Sequence, residues 1–207
     1  MPARPVNPPH AHRVRVATGD EWRPLGHLLG AAFYDDPVWE WTAADPRRRQ
    51  RHLGPAFGQF IRRRLGEGTV WTTDDLSGAA MWSAPDDWKS GPGEQLRMAW
   101  PMGRAIGFRS ARSRLGALAE IERHHPSEPH WYLAILGADP DRRGQGIGGA
   151  LMAPMVQRCD DEGMPAFLES SKEQNLAFYH RFGFEVTGTV DLRPDGPPLW
   201  SMWREPR

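Results

Sequence analysis

The chain has 207 residues, and its 26 Lys and Arg are balanced by 26 Asp and Glu, so the formal net charge at neutral pH is zero. That length suffices for one full hydrophobic core, while neutrality removes the bulk attraction to phosphate backbones that nucleic-acid binding needs. One cysteine, Cys159, rules out an internal disulfide, and no apolar run approaches the ~20 residues of a membrane span, so a cytoplasmic protein with no nucleic-acid and no membrane partner is expected.

Residues 1–12 carry Pro2, Pro5, Pro8 and Pro9 without an apolar stretch, which predicts a disordered N-terminal arm ahead of a single domain over 13–207. Residues 14–16 read as a short strand. Asp20 is an N-cap candidate for a helix whose apolar positions Leu25, Leu28, Leu29 and Ala32 share one face. A connector over 33–41, rich in aromatics and acids, leads to a second helix from about Pro46 to Leu65. Arg47, Arg48, Arg49 and Arg51 are expected on its solvated face. Residues 68–73 and 79–83 read as strands around a turn at 74–78, and Pro85 opens a Pro/Gly/Trp-rich loop to about Gly93. A helical region over 94–124 is interrupted by Gly103, Gly107 and Gly116.

The apolar segment 131–138 predicts a strand. After a glycine-rich run at 139–149, a helix extends to about Gly163 with Ile147, Leu151, Met155 and Cys159 as its buried stripe. Pro154 removes one backbone donor inside that helix and predicts a kink. Residues 165–170 form a buried-type strand and 175–182 a short helix closed by Gly183. Residues 184–192 and 199–203 are two final strands around a Pro/Gly turn. This order is an α/β pattern with a mixed sheet. Most of the ten tryptophans read as packing residues.

The run Asp139-Pro-Asp-Arg-Arg-Gly-Gln-Gly-Ile-Gly-Gly149 carries the most chemistry. Glycines between a strand and a helix leave N–H groups uncovered at the positive helix end, where phosphates bind. Gly144, Gly146 and Gly149 satisfy the G-x-G-x-x-G dinucleotide pattern, with Glu169 further on as its acid; an ordinary glycine turn is the plain alternative. A dinucleotide fold, however, enters its first glycine almost directly from the strand and needs two βαβαβ halves. Here a polar step over 139–143 intervenes, and too few residues follow Gly149.

Arg143, Gly146 and Gly148 also satisfy Arg/Gln-x-x-Gly-x-Gly/Ala, and this resembles the pyrophosphate loop of GNAT-type acetyltransferases. Downstream, Asn175-Leu-Ala-Phe-Tyr-His-Arg-Phe-Gly-Phe184 is similar, in compressed form, to a second signature of that family. The element order matches from about residue 13 to the end. A narrower resemblance, to puromycin N-acetyltransferase and its bacterial relatives, rests on residues 128–134, 165–170, 69–71 and 81–85 and on the Asn-Leu-x-Phe-Tyr helix.

The resemblance implies a GNAT fold, with a central mixed, mostly antiparallel sheet of about seven strands flanked by helices. It implies acetyl-CoA as co-substrate, a small-molecule amine acceptor (antibiotic-like or aminonucleoside), and no metal; a monomer or homodimer is expected. Backbone N–H groups of Arg143, Gly144, Gln145, Gly146, Ile147, Gly148 and Gly149 would hold the pyrophosphate. Leu136, Gly137 and Ala138 would pair with the pantetheine arm like an added strand. Gly137 would permit close approach there or mark a β-bulge. Tyr179 matches the family's general acid toward the thiolate. Asn175, one turn earlier, would contact the arm or N-cap the helix. Glu169 is a candidate base or a structural carboxylate. Tyr34, Asp35 and Asp36, with Trp71 and Trp82, are the expected acceptor walls, although Asp36-Pro37 is also ordinary turn chemistry. His124 and His125 have no partner at metal-ligand spacing. Two other readings stay open: transfer to a peptide amine, and a non-catalytic acyl-CoA-binding module.

Overall fold

A computed structural model describes residues 12–89, 91–107, 114, 121–192 and 195–207. The predicted arm, apart from His12, lies outside the described residues, as do much of the predicted helical stretch after Gly107 and the tip of the last turn. Seven strands form one sheet: β1 Val14–Val16, β2 Val70–Thr73, β3 Gly78–Ser83, β4 Trp131–Ala138, β5 Ala166–Ser170, β6 Glu185–Asp191 and β7 Pro198–Arg204. Their order is β1-β2-β3-β4-β5-β7-β6, and every neighbouring pair is antiparallel except β4 with β5. The helices are α1 Trp22–Ala32, α2 Pro37–Thr42, α3 Pro46–Arg64, α4 Pro92–Ile106, α5 Ile147–Asp161 and α6 Leu176–His180. None among the described residues is long and apolar enough to cross a membrane.

Alternation along the strands gives the sheet two apolar faces. Ala79, Met81 and Ile135 meet Leu25, Leu29, Leu53, Phe57 and Ile61 of α1 and α3. Ala80, Trp82, Leu133 and Leu168 meet Ile147, Leu151, Met155 and Cys159 of α5, the stripe expected from the sequence. All six residues of β3 are buried because both faces are covered.

Helices α1 and α3 touch backbone to backbone. A Cβ added at Gly26 would lie 2.6 Å from Gly58 Cα, and one at Gly30 the same distance from Gly54 Cα. Glycine inside a helix costs about 0.5–1 kcal/mol relative to alanine, so the close approach has to offset that cost. Gly26→Ala should therefore destabilise the protein by about 1–3 kcal/mol through overpacking, despite its better helix propensity. A denaturant titration with an unchanged midpoint would contradict this.

Four expectations are corrected. Helix α1 starts at Trp22 without a side-chain cap. Asp20 instead accepts from the Thr18 hydroxyl, while Glu21 takes the Thr18 N–H and pairs with Arg15 at 2.6 Å. The connector contains α2, capped by Asp36, whose carboxylate accepts from Val38 and Trp39 N–H; Pro37 sits in the first turn, where a missing donor is harmless. Asp45 and Pro46 start α3 in the same way. Arg49 is buried rather than solvated, donating to the Tyr34 and Ala43 carbonyls and stacking over the Tyr34 ring. The bulge in β4 lies at Ala134, since Met81 opposes Ile135 while Trp82 opposes Leu133. Gly137 pairs regularly with Ala79; its missing side chain makes room for α1, because a Cβ there would lie 2.7 Å from Leu29 Cδ2.

Candidate active site

Strands β4 and β5 pair only from Trp131/Ala166 to Leu133/Leu168. Beyond that point β4 runs on to Ala138 and β5 to Ser170 without pairing, and the bulge at Ala134 falls at the split. The opening is a cleft of about 770 Å³. Leu136, Gly137, Ala138, Arg143, Gly144, Gly146, Ile147, Gly148, Gly149, Glu169, Asn175 and Tyr179 line it, which brings most of the predicted residues to one place.

The glycine loop is built from its own short-range chemistry. Asp139 accepts the Asp141 N–H and starts a one-turn 3-10 helix, Pro140–Arg142. Arg142 then ties the loop to the β2–β3 turn through Asp75 at 2.5 Å. Gly144 and Gly146 have φ of 79° and 85°, a region that L side chains rarely adopt, so the chain turns sharply into α5. The Ala150 N–H is the first to reach a carbonyl within α5, that of Gly146 at 3.0 Å. By helix geometry the N–H groups of Ile147, Gly148 and Gly149 have no intrahelical acceptor and project from the helix's positive end. Gly148 and Gly149 also let α6 close over this end, since Cβ atoms there would lie 3.3 Å from Phe178 and 3.7 Å from Phe182. Gln145 is not among the lining residues; its side chain accepts from Arg142, and its carbonyl lies 2.8 Å from the His12 ring.

Tyr179 projects from α6 with 8% exposure, packed against Phe178 and Phe184. Burial, and then the nearby Asp36 carboxylate, raise its phenol above the ordinary value, so it keeps its proton at neutral pH. Asp36 is itself buried and takes a hydrogen bond from the Ser171 hydroxyl. Burial pushes its carboxyl upward, against the opposing effects of Ser171, the α2 N–H groups and Lys172. The sequence offered Asp36 both as an acceptor-wall acid and as a turn residue; it lines the cleft and also caps α2. Asn175 ends a 3-10 turn, Glu173–Asn175, and its side chain caps nothing, which removes the capping alternative.

Glu169 projects on the same face of β5 as Phe167. Its Oε1 lies 3.6 Å from His125 Nδ1, and the two side chains are 7% and 2% exposed. The Tyr132 phenol faces the same carboxylate; burial and that charge raise it well above its ordinary value. Trp88 stacks on the His125 ring at 3.5 Å. Sequence reasoning missed His125 and His130 at this site, because His125 meets Glu169, and His130 meets His125, only through the fold.

Of the expected acceptor walls, Asp36 lines the cleft and Tyr34, Asp35, Trp71 and Trp82 do not. Trp82 has no exposure and Trp71 packs against the same core, so neither forms a wall. Tyr34 is turned to Arg49. Asp35 bridges Lys172 at 3.0 Å and Arg143 at 3.3 Å, at the cofactor-loop rim. Partial burial opposes its ionisation, but these two cations hold its carboxyl below the ordinary value. Phe33, Phe178 and Phe182 supply aromatic surface instead. Among the described residues no group of three or more His, Cys, Asp and Glu is placed to hold a metal ion.

Several known proteins resemble this chain. A Schizosaccharomyces pombe protein described as an uncharacterized N-acetyltransferase is 29% identical over 198 residues, covering 90% of this chain and 80% of the relative. A Corynebacterium glutamicum structure described as histone acetyltransferase HPA2 and related acetyltransferase superposes with a TM-score of 0.70 at 23% identity, covering 95% and 97% of the two chains. Arylalkylamine N-acetyltransferase 2 from Aedes aegypti gives 0.68 at 15% identity, covering 94% and 99%. At such identities the two structures speak for the fold alone. The sequence model of the Acetyltransferase (GNAT) family matches residues 31–184, which reach from the end of α1 past Tyr179, and the chain therefore belongs to the GNAT family of N-acetyltransferases.

Proposed function

We propose that this N-acetyltransferase moves an acetyl group from acetyl-CoA directly to the amine of a small, cationic, partly aromatic molecule in the cytoplasm. The observation that carries the reading is that Tyr179 and Glu169 line the same cleft, beside the uncovered N–H groups of α5. Acetyl-CoA supplies an activated acyl thioester. The residues present fit it: the glycines leave backbone donors open, and the free edge of β4 at Leu136, Gly137 and Ala138 can pair with an extended arm. Tyr179 holds its proton at neutral pH and delivers it to the departing sulfur, with Asn175 on the preceding turn beside the arm. Glu169 takes a proton from the acceptor ammonium so that the nitrogen lone pair is free. Direct transfer follows from one cleft holding both groups, with no nucleophilic side chain needed between donor and acceptor.

Two features favour a small acceptor over a peptide. Glu169 is 7% exposed and faces His125 and Tyr132, while Trp88 and Phe167 pack on the His125 ring, an aromatic setting suited to a compact cation. The narrower sequence likeness to puromycin N-acetyltransferase points the same way. A thiol-release screen tests the proposal, with arylalkylamines, aminonucleosides, polyamines and peptides as acceptors and acetyl-CoA compared with longer acyl-CoAs. Turnover with compact aromatic amines is expected. Turnover with peptides alone would replace the acceptor class, and binding of NAD(H) without any acyl-CoA would overturn the reading.

The loop makes a separate prediction. Gly146→Ala places a side chain at a left-handed φ, a strain of about 1–2 kcal/mol that the loop relieves by turning its N–H groups away. Calorimetric titration should then show acetyl-CoA affinity roughly tenfold weaker, and unchanged affinity would contradict the assigned pyrophosphate cradle.

A further inference from the structure

Around Glu169 the hydrogen-bond chain determines where protons sit. His130 Nδ1 lies 2.6 Å from the Glu128 carbonyl oxygen, which only accepts, so Nδ1 carries the hydrogen. His130 is 2% exposed, and burial lowers its basicity below the ordinary histidine value, with the His125 ring adding to that effect and Glu128 and Glu169 opposing it. A neutral His130 therefore presents a bare Nε2. His125 Nε2 lies 2.9 Å from that atom and must be the donor. A neutral His125 is then left with a bare Nδ1, and it faces Glu169 Oε1 at 3.6 Å. Two acceptors face each other there beyond hydrogen-bond distance, so a proton delivered to either one gives it a donor for the other as the two close in. The titratable groups facing this pair are Tyr132 from β4 and His130 and Glu128 from the segment before it, while Trp88 and Phe167 close the ring faces.

We propose that Glu169 and His125 act together as the proton acceptor for the substrate ammonium, and that His130 is a positioning residue that locks His125 in the tautomer leaving Nδ1 open. This rests on the proposed transfer to an amine and names its base. The step balances: the acceptor R–NH3+ loses one proton, which Glu169 takes and shares with His125 Nδ1, and R–NH2 keeps the electron pair that attacks the thioester. His130 needs no contact with substrate. Its Nε2 lone pair orients the His125 ring, and the Glu128 carbonyl in turn orients His130.

Long-range proton–nitrogen NMR on histidine-labelled full-length protein tests the proton placement independently of activity. Expected are hydrogens on His130 Nδ1 and His125 Nε2; a bare His125 Nε2, or a hydrogen on His130 Nε2, would overturn the proposal. Kinetics with the best acceptor from the screen add a second reading. Glu169→Gln should lower kcat/KM by roughly 100-fold or more with acetyl-CoA affinity kept. His130→Asn should lower it by about tenfold and change the shape of the kcat/KM–pH profile, because His125 loses the partner that fixes its tautomer. A His130→Asn profile that superposes on wild type would also overturn the proposal. If wild type acetylates no amine, the functional reading fails, while the NMR experiment still decides whether the proton-sharing pair exists.

Discussion

Tyr179→Phe is expected to lower kcat by about 10²- to 10³-fold while leaving acetyl-CoA affinity within about threefold of wild type. The substitution removes one hydroxyl and keeps the ring that packs on Phe178 and Phe184, so the thermal midpoint should barely move. Its pH dependence has a definite sign. Burial and Asp36 raise the Tyr179 phenol above the ordinary value of about 10, so the wild type retains its acid throughout the neutral range. Any alkaline loss of kcat due to Tyr179 lies above that value, and the variant should lack it. Pre-steady-state thiol release and calorimetric titration together check the result. Near-normal kcat with every acceptor would remove Tyr179 from the chemistry.

Asp160→Ala should cost about 3–5 kcal/mol of folding stability, the usual penalty for leaving a buried charge without its partner. Asp160, in the last turn of α5, accepts two hydrogen bonds of 2.7 Å from Arg204 Nη2 on β7 and one of 2.7 Å from the Arg207 N–H. Arg204 is 2% exposed; its Nε donates to the Phe182 carbonyl, and its Nη1 already lacks a partner. Among the described residues, Asp160 is the acid that pairs with this guanidinium. The pair also bears on the site, because it fastens α5, whose other end offers the N–H groups, to the turn that follows α6. Burial resists ionisation of Asp160, but Arg204 and the Arg207 N–H hold its carboxyl below the ordinary range. Its folded-state value is depressed, so its contribution is fully present above the unfolded value near 4 and disappears as pH falls through the folded value. Urea titrations at neutral and acid pH should show wild type and variant converging as the pH drops. A neutral-pH difference below about 1 kcal/mol would show that Arg204 finds another partner.

The parts of the fold legible in sequence were those written in one continuous segment. Strand β4, the glycine loop and the stripe of α5 follow one another, and each announces itself by period or by glycine. Tyr179 and Asn175 entered through the resemblance of one short segment to a family signature, and both line the cleft. What escaped was assembled from distant segments. Asp36 was expected on the acceptor wall, but its approach to Tyr179 depends on where α2 starts. His125 reads as a lone histidine until β4 brings His130 beside it and β5 brings Glu169 opposite. Trp71 and Trp82 were misjudged because alternation tells which residues share a face, but not whether α5 covers that face. Arg49 escaped for the opposite reason, since an arginine among arginines looks solvated until the turns after α1 and α2 present the Tyr34 and Ala43 carbonyls to it.

The most direct test of the account is an experimental structure with coenzyme A bound. The pyrophosphate is expected on the N–H groups of residues 144–149 and the pantetheine arm between β4 and β5. The sulfur should lie within hydrogen-bond reach of the Tyr179 hydroxyl, with Glu169 on the remaining open side of the cleft. A coenzyme A bound elsewhere, or a sulfur remote from Tyr179 with the phenol turned into the core, would contradict it.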